Sequence, residues 1–191
     1  MTRIVAGTAG GRRIEVPGAG TRPTSERVRE ALFSRLEHYG LVEGASVLDL
    51  CAGSGALGLE AASRGAGEVT LVDSSRSATT VCRRNARSLG LAGVRVATAT
   101  AAAFLAGAAG APMDLVLVDP PYGLGREGLA AMLAPLARGG DPWLAPGAVV
   151  VVERSTRSPE PAWPTGLERF AHRRYGETAL WFAEPAAARG G

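Results

Sequence analysis

Between Ser46 and Glu153 the chain repeats one pattern, a short run of almost wholly apolar residues followed by a longer amphipathic or small-residue stretch. The apolar runs are Ser46–Leu50, Glu68–Asp73, Val94–Thr98, Asp114–Asp119 and Ala148–Glu153, the last with four successive valines. Their length and β-branched content suit strands buried on both faces, and their alternation with helix-length segments is the mark of a parallel sheet with crossover helices. The intervening segments predict helices over Ala56–Arg64, Ser77–Leu89, which stops at Gly90, and Glu127–Ala137, with Pro135 near its end.

Before this core, Ile4–Gly7 and Arg13–Val16, joined by the glycine-rich segment 8–11, predict a short β-hairpin. A helix is expected from Thr24 or Ser25, either of which can cap it, with Glu26 in its first turn, Val28, Ala31, Leu32, Leu36 and Tyr39 along one face, and Gly40 as its stop. After the core, the prolines of Ser155–Gly166 predict an irregular loop, and Arg169–Tyr175 with Thr178–Ala183 an antiparallel hairpin turning at Gly176. The expected organisation is an N-terminal extension over 1–23, one α/β domain over 24–184 and a frayed tail over 185–191, at a length of 191 residues that fits a single core.

Composition narrows the function classes. Hydrophobic residues make up 46% of the chain and charged ones 20%, and no apolar run approaches the roughly 20 residues of a membrane helix, so a cytoplasmic protein is expected. The start lacks the apolar stretch of a secretory signal. Cys51 and Cys82 are the two cysteines; neither belongs to a CxxC pair or a His cluster, so no metal site and no disulfide are expected. All 21 basic residues are arginines. Seven of them lie in residues 1–35 against three glutamates, an excess larger than the net +3 of the whole chain. This basic segment on a near-neutral body points to a phosphate-bearing partner, whose geometry matches the arginine fork; the bland alternative is a solvated face. No long apolar surface stripe stands out, and a monomer is expected.

The candidate chemistry lies at the ends of the predicted strands. Gly53-x-Gly55-x-x-Gly58 follows a strand and opens a helix, an arrangement that serves dinucleotides or S-adenosylmethionine. Asp49, four residues before Gly53, tilts the choice: a carboxylate attracts the cationic amino end of a methionine moiety and repels a pyrophosphate. Asp73 closes the second strand, where a carboxylate accepts from ribose hydroxyls in either cofactor class. Cys51, Ser54 and Ser74 flank these positions, and Thr100 and Ala101 follow the third strand, where adenine would lie. The fourth strand runs into Asp119-Pro120-Pro121-Tyr122. An exocyclic amine or carboxamide is a poor nucleophile because its lone pair is delocalised. Asp119 and a proline carbonyl can accept its two N–H bonds while Tyr122 stacks on the planar group, the prolines keeping these acceptors aimed. The combination points to methyl transfer to nitrogen. His38 and His172 sit in no motif, and Trp143 and Trp181 read as packing, while Trp163 is a loop residue able to touch RNA.

The sequence resembles the bacterial 16S ribosomal RNA guanine-N2 methyltransferases of the RsmD type from Met1 to about Phe182. The resemblance is carried by Arg3-Ile4-Val5-Ala6-Gly7 with Gly11-Arg12-Arg13, Arg22-Pro23-Thr24, Arg27 to Phe33, Leu48 to Gly58, Asn85, Asp119 to Tyr122 and Tyr175-Gly176-Glu177-Thr178. The N-terminal block is the specific part, since the glycine loop and Asp-Pro-Pro-Tyr also occur in DNA adenine methyltransferases. Thr100 departs from the family, which more often shows Asp or Asn there. The resemblance implies a Rossmann-like class I fold with a mostly parallel seven-stranded sheet and an antiparallel C-terminal hairpin, and S-adenosyl-L-methionine as cofactor. It implies methylation of N2 of one guanine of 16S rRNA, position 966, presented in the small ribosomal subunit or its assembly intermediate. Arg3, Arg12, Arg13, Arg22, Arg27 and Arg29 are then expected to grip phosphates flanking a guanine splayed from its stack.

Other readings stay open on the residues alone. Methylation of DNA adenine or a protein glutamine keeps the chemistry, an NAD-linked oxidoreductase accounts for the glycines and Asp73 while leaving Asp119 to Tyr122 idle, and a non-catalytic RNA-binding protein accounts for the arginines only.

Overall fold

The computed structural model describes residues 2–18, 24–138 and 142–186, so the predicted RNA contact Arg22 and most of the predicted tail lie outside the described residues. A two-stranded antiparallel ribbon of β1 (Thr2–Arg3) and β2 (Arg13–Ile14) precedes α1 (Glu26–His38). Then come β3 (Ser46–Leu50), α2 (Ala56–Ser63), β4 (Glu68–Asp73), α3 (Arg76–Leu89), β5 (Val94–Thr98), α4 (Ala101–Leu105), β6 (Met113–Val118) and α5 (Arg126–Leu133), which continues as a 3-10 turn over Ala134–Ala137. The chain ends with β7 (Leu144–Ser155), β8 (Leu167–Tyr175) and β9 (Thr178–Pro185). The seven-stranded sheet has the order β5-β4-β3-β6-β7-β9-β8, with β9 antiparallel to both of its neighbours and all other pairs parallel.

Helices on both faces explain why the central strands are apolar throughout. Val47, Leu115, Leu117, Val149 and Val151 belong to the core under α1, α2 and α3, whereas Leu48, Leu50, Val116, Val118, Val150 and Val152 belong to the core under α4 and α5. Sequence and structure agree on the ends of α1. Ser25 caps it by accepting from the Val28 N–H, and Gly40 follows at φ +70°. The buried face of α1 is Val28, Arg29, Leu32, Phe33 and Leu36; the predicted Tyr39 is exposed instead, against Phe170 of the edge strand β8.

One predicted element needs correction, and one helix was not anticipated. The predicted first hairpin strand, Ile4–Gly7, is not a strand: the regular ladder covers Thr2–Arg3, Ile4 still exchanges main-chain hydrogen bonds with Gly11 and Arg12, and beyond it the amides of Val5 and Ala6 turn away to donate to the Glu60 carboxylate at 2.8 and 3.0 Å. The Ala/Thr-rich run after β5 contains α4, a five-residue helix whose N-cap Thr100 accepts from the Ala103 N–H. It lacks the length for a periodic signal.

Residues 5–9 of the N-terminal segment are bound to α2. Glu60 and Ser63 receive amides of residues 5, 6 and 9, and the Gly7 turn, at φ +80°, passes so close to the Ser63 carbonyl that a Cβ there would lie 1.9 Å from its oxygen. Ile4, Ala9 and Ile14 share one core with β3 and α1.

Candidate active site

Strand order places the site. From β3 the chain winds outward in one direction to β4 and β5 and in the other to β6 and β7, so a crevice opens beyond the carboxyl ends of β3 and β6. Register brings Leu50 beside Val118, which sets Asp49 near the end of β3 and Asp119 just past the end of β6 at its two walls. A cavity of about 400 Å³ lies there, within the range of small-molecule sites. Of the residues expected at a cofactor, Asp49, Cys51, Gly53, Ser54, Asp73, Ser74, Thr100 and Ala101 line it, as do Asp119, Pro120, Pro121 and Tyr122.

Gly55 does not line it. It turns the chain into α2 at φ +79°, packed against Leu71 and Leu59. Gly58 works by close approach: a Cβ there would lie 2.2 Å from Leu71 Cδ2, and its N–H donates to Asp49 Oδ2 at 2.9 Å. Asp49 is only 1% exposed, and its Oδ1 has no hydrogen-bond partner among the described residues. Burial pushes its carboxyl up to about 7, against the pull of the Gly58 amide and with a further push from Asp73. A buried carboxylate with an open oxygen wants a cation. Asp73 accepts from Gly53 N at 2.9 Å and Ser75 N at 2.8 Å, which fixes it at the end of β4. This donor set fits S-adenosylmethionine: an unmatched anion for an ammonium, a fixed carboxylate for a diol, and apolar walls at Leu57, Val72 and Ala99.

Cys51 holds φ +64°, the one non-glycine residue in the left-handed region among those described. Burial, with Asp49, Asp73 and Asp119 adding to it, pushes its thiol up to about 12, so it stays protonated and is no nucleophile. Thr100 uses a lone pair on Ala103 N–H, and its hydroxyl hydrogen remains to be donated.

The Asp119 loop is held from within: the Pro121 carbonyl accepts from Leu124 N at 2.9 Å, closing the turn and leaving the Pro120 carbonyl. Tyr122 is 72% exposed, which argues against a packing role and for a platform. Burial raises the Asp119 carboxyl well above the ordinary carboxylate range, helped by Glu153 and Asp49 and opposed by the Thr24 hydroxyl and Arg154. Thr24 and Glu153 are positions beside the cavity that the sequence did not assign to the site. Thr24 was expected only as a possible helix cap; it lines the cavity and donates to Glu153 Oε2 at 2.7 Å. Val16 of the N-terminal segment also lines the cavity. Asn85 ties that segment to the glycine loop, bonding both main-chain groups of Glu15 and the Ser54 carbonyl at 2.9 Å each.

The N-terminal arginines divide. Arg29, expected to contact RNA, is 0% exposed: it donates to the carbonyls of Thr24 and Arg3 and to the Thr2 hydroxyl, and lies 3.9 Å from Glu60. It is a structural cation, excluded from phosphate contact by burial. Arg3 pairs with Glu26 at 2.8 Å, and Arg12 donates to the Ser88 and Leu89 carbonyls at the end of α3. Arg13 and Arg27 are exposed and unpaired among the described residues. Trp143 and Trp181 are packing residues, the latter stacked on His172 at 3.8 Å, and Trp163 donates to Glu160.

Comparison with known proteins agrees with this geometry. A family model described as "Conserved hypothetical protein 95" matches residues 2–184. The chain is 37% identical over 178 residues to Ribosomal RNA small subunit methyltransferase D of Escherichia coli, covering 93% of this chain and 86% of that one. To the Haemophilus influenzae protein of the same name it is 32% identical, covering 82% and 80%. The solved structure of yhhF from Escherichia coli superposes with a TM-score of 0.84 at 34% identity over 98% of this chain and 99% of that one. With the strand order, the paired aspartates and the Asp119 to Tyr122 loop on a Rossmann-like methyltransferase fold, the chain belongs to the RsmD-type methyltransferase family.

Proposed function

We propose that this protein is an S-adenosylmethionine-dependent methyltransferase acting on the exocyclic N2 of one guanine of 16S rRNA in the small ribosomal subunit or its assembly intermediate, the guanine at position 966 as in the family it resembles. The observation that carries the reading is the exposed Tyr122 beside Asp119 at the mouth of a cavity whose other wall holds the unmatched Asp49 carboxylate. The names of the relatives support rRNA as the substrate. The exposed arginines of the N-terminal segment support a phosphate-bearing one.

When bound, S-adenosylmethionine supplies a methyl group made electrophilic by its sulfonium charge. Asp49 holds the amino end, Asp73 the ribose hydroxyls, and the Thr100 hydroxyl and Ala101 main chain the adenine. Asp119 and the Pro120 carbonyl accept the two N2–H bonds, drawing the nitrogen towards tetrahedral geometry, and Tyr122 stacks on the base. No prior deprotonation is needed, since the amine becomes acidic only as its new bond forms; a carboxylate with a raised pKa is well matched to take that proton. Positioning supplies much of the rate.

The test is methyl transfer from labelled S-adenosylmethionine into small subunits from a strain lacking the enzyme, against naked rRNA and duplex DNA, with the product mapped by mass spectrometry. N2-methylguanine at one position is the expected result. Label in DNA adenine or protein with none in the subunit overturns the substrate and keeps the chemistry.

A further inference from the structure

A second recess, of about 30 Å³, adjoins the cofactor cavity and shares Asp119, Pro120 and Tyr122 with it. Its remaining wall includes Glu153 and Arg154 at the end of β7. The placement follows from register, because Val118 pairs with Val152 and the chains of β6 and β7 then deliver Asp119 and Glu153 to the same level. The groups meant to touch the target base flank this recess.

Glu153 is a half-buried carboxylate with an unusual set of partners. Thr24 Oγ1 donates to its Oε2, and among the described residues no other hydrogen bond reaches it, although an ionised carboxylate offers about four acceptor sites. A carboxylate kept only for structure would sit on a cation. The nearby Arg29 instead directs its Nη1 and Nη2 to the Thr24 and Arg3 carbonyls and the Thr2 hydroxyl and its Nε towards Glu60, and Arg154 donates to the Leu124 carbonyl. Thr24 therefore holds Glu153 in place while leaving its other oxygen without a donor, beside the residue that receives the amine.

Guanine presents two kinds of donor side by side on one edge, the N1–H and the N2 amine. Adenine and 2-aminopurine present a bare N1, whose lone pair would face a carboxylate at a cost. Two acceptors side by side complement the first edge and reject the second. We propose that Glu153 accepts the N1–H of the target base while Asp119 holds N2, so that Glu153 is the specificity-determining residue for guanine and Thr24 its positioning residue. This rests on the reading of the target as guanine N2. The device combines attraction for one edge with repulsion of the other, as specific sites commonly do.

The test uses small subunits reconstituted from ligated rRNA carrying either guanine or 2-aminopurine at the target position, both of which keep the N2 amine. Initial kcat/KM is measured for the wild type, Glu153→Gln and Thr24→Val, with melting temperature and S-adenosylhomocysteine affinity as controls. Glu153→Gln weakens the acceptor for N1–H and offers a donor to the bare N1, so the guanine to 2-aminopurine ratio should shrink by about tenfold or more. The missing O6 of 2-aminopurine affects every enzyme alike and cancels when the ratios are compared. Thr24→Val should shift the ratio in the same direction by less, and decides the matter if Glu153→Gln does not fold. Ratios equal to the wild type's in the folded variants overturn the proposal alone. A wild type that leaves the target guanine unmethylated overturns the guanine reading and the proposal with it.

Discussion

Lowering the pH from the plateau above about 7 to about 5 should weaken binding of S-adenosylhomocysteine by roughly a hundredfold, because Asp49 must be ionised to meet the ligand's ammonium group. In the free protein burial raises this carboxyl from 3.8 to about 7, so at the lower pH only about one molecule in a hundred carries the charge. Two pH units correspond to about 3 kcal/mol. Affinity then rises tenfold per pH unit and levels off above about pH 7, and below that point one proton is released per ligand bound. Isothermal titration in two buffers of different ionisation enthalpy measures both quantities. Asp49→Asn should flatten the profile and lower its plateau. Stability runs the other way. A carboxyl whose folded pKa is raised contributes most when protonated, so the free wild type loses up to about 4 kcal/mol from this group as pH climbs from about 4 to about 7, and Asp49→Asn should abolish that loss. Affinity independent of pH between 5 and 7 in the wild type, with no proton released, would refute the argument that the open Oδ1 of Asp49 is the ammonium site.

Three further outcomes are expected. Asp119→Ala should lower kcat about a hundredfold or more while leaving S-adenosylhomocysteine affinity unchanged, and Tyr122→Ala should raise KM about tenfold where Tyr122→Phe changes it little; steady-state kinetics separate these effects, and equal losses for the two tyrosine variants would assign the role to the hydroxyl. Glu60→Ala should cost about 3–5 kcal/mol in denaturant unfolding, since it strands the buried Arg29 and frees the Val5 and Ala6 amides; a loss under 1 kcal/mol would mean the N-terminal segment is held by its apolar residues alone. Arg13→Ala and Arg27→Ala should each reduce the slope of log affinity for RNA against log salt by about one without lowering stability, whereas Arg29→Ala should destabilise the fold.

The core strands, the strand-to-helix alternation and the glycine loop were legible because each depends on local pattern: β3, β4 and β5 fall where the apolar runs placed them, and Ser25 and Gly40 bound α1 as their side-chain chemistry dictates. Asp49, Asp73 and Asp119 were legible for a related reason. Each lies at or within one residue of the carboxyl end of an apolar strand, and in a parallel sheet strand ends converge on one edge. What the sequence could not reveal depends on contacts between distant residues. An arginine in a basic N-terminal run reads as surface charge, and only the packing of α1 against α2 turns Arg29 inward towards Glu60, separating it from its neighbours Arg13 and Arg27. Thr24 reads as a helix cap, and only the return of β7 to the centre of the sheet, 129 positions later, brings Glu153 within 2.7 Å of its hydroxyl. Local periodicity therefore determined which residues form strands and which carboxylates end them. The tertiary structure alone decided which charges are buried and which carboxylates share a recess, because desolvation and hydrogen bonding act through space and leave no period in the sequence.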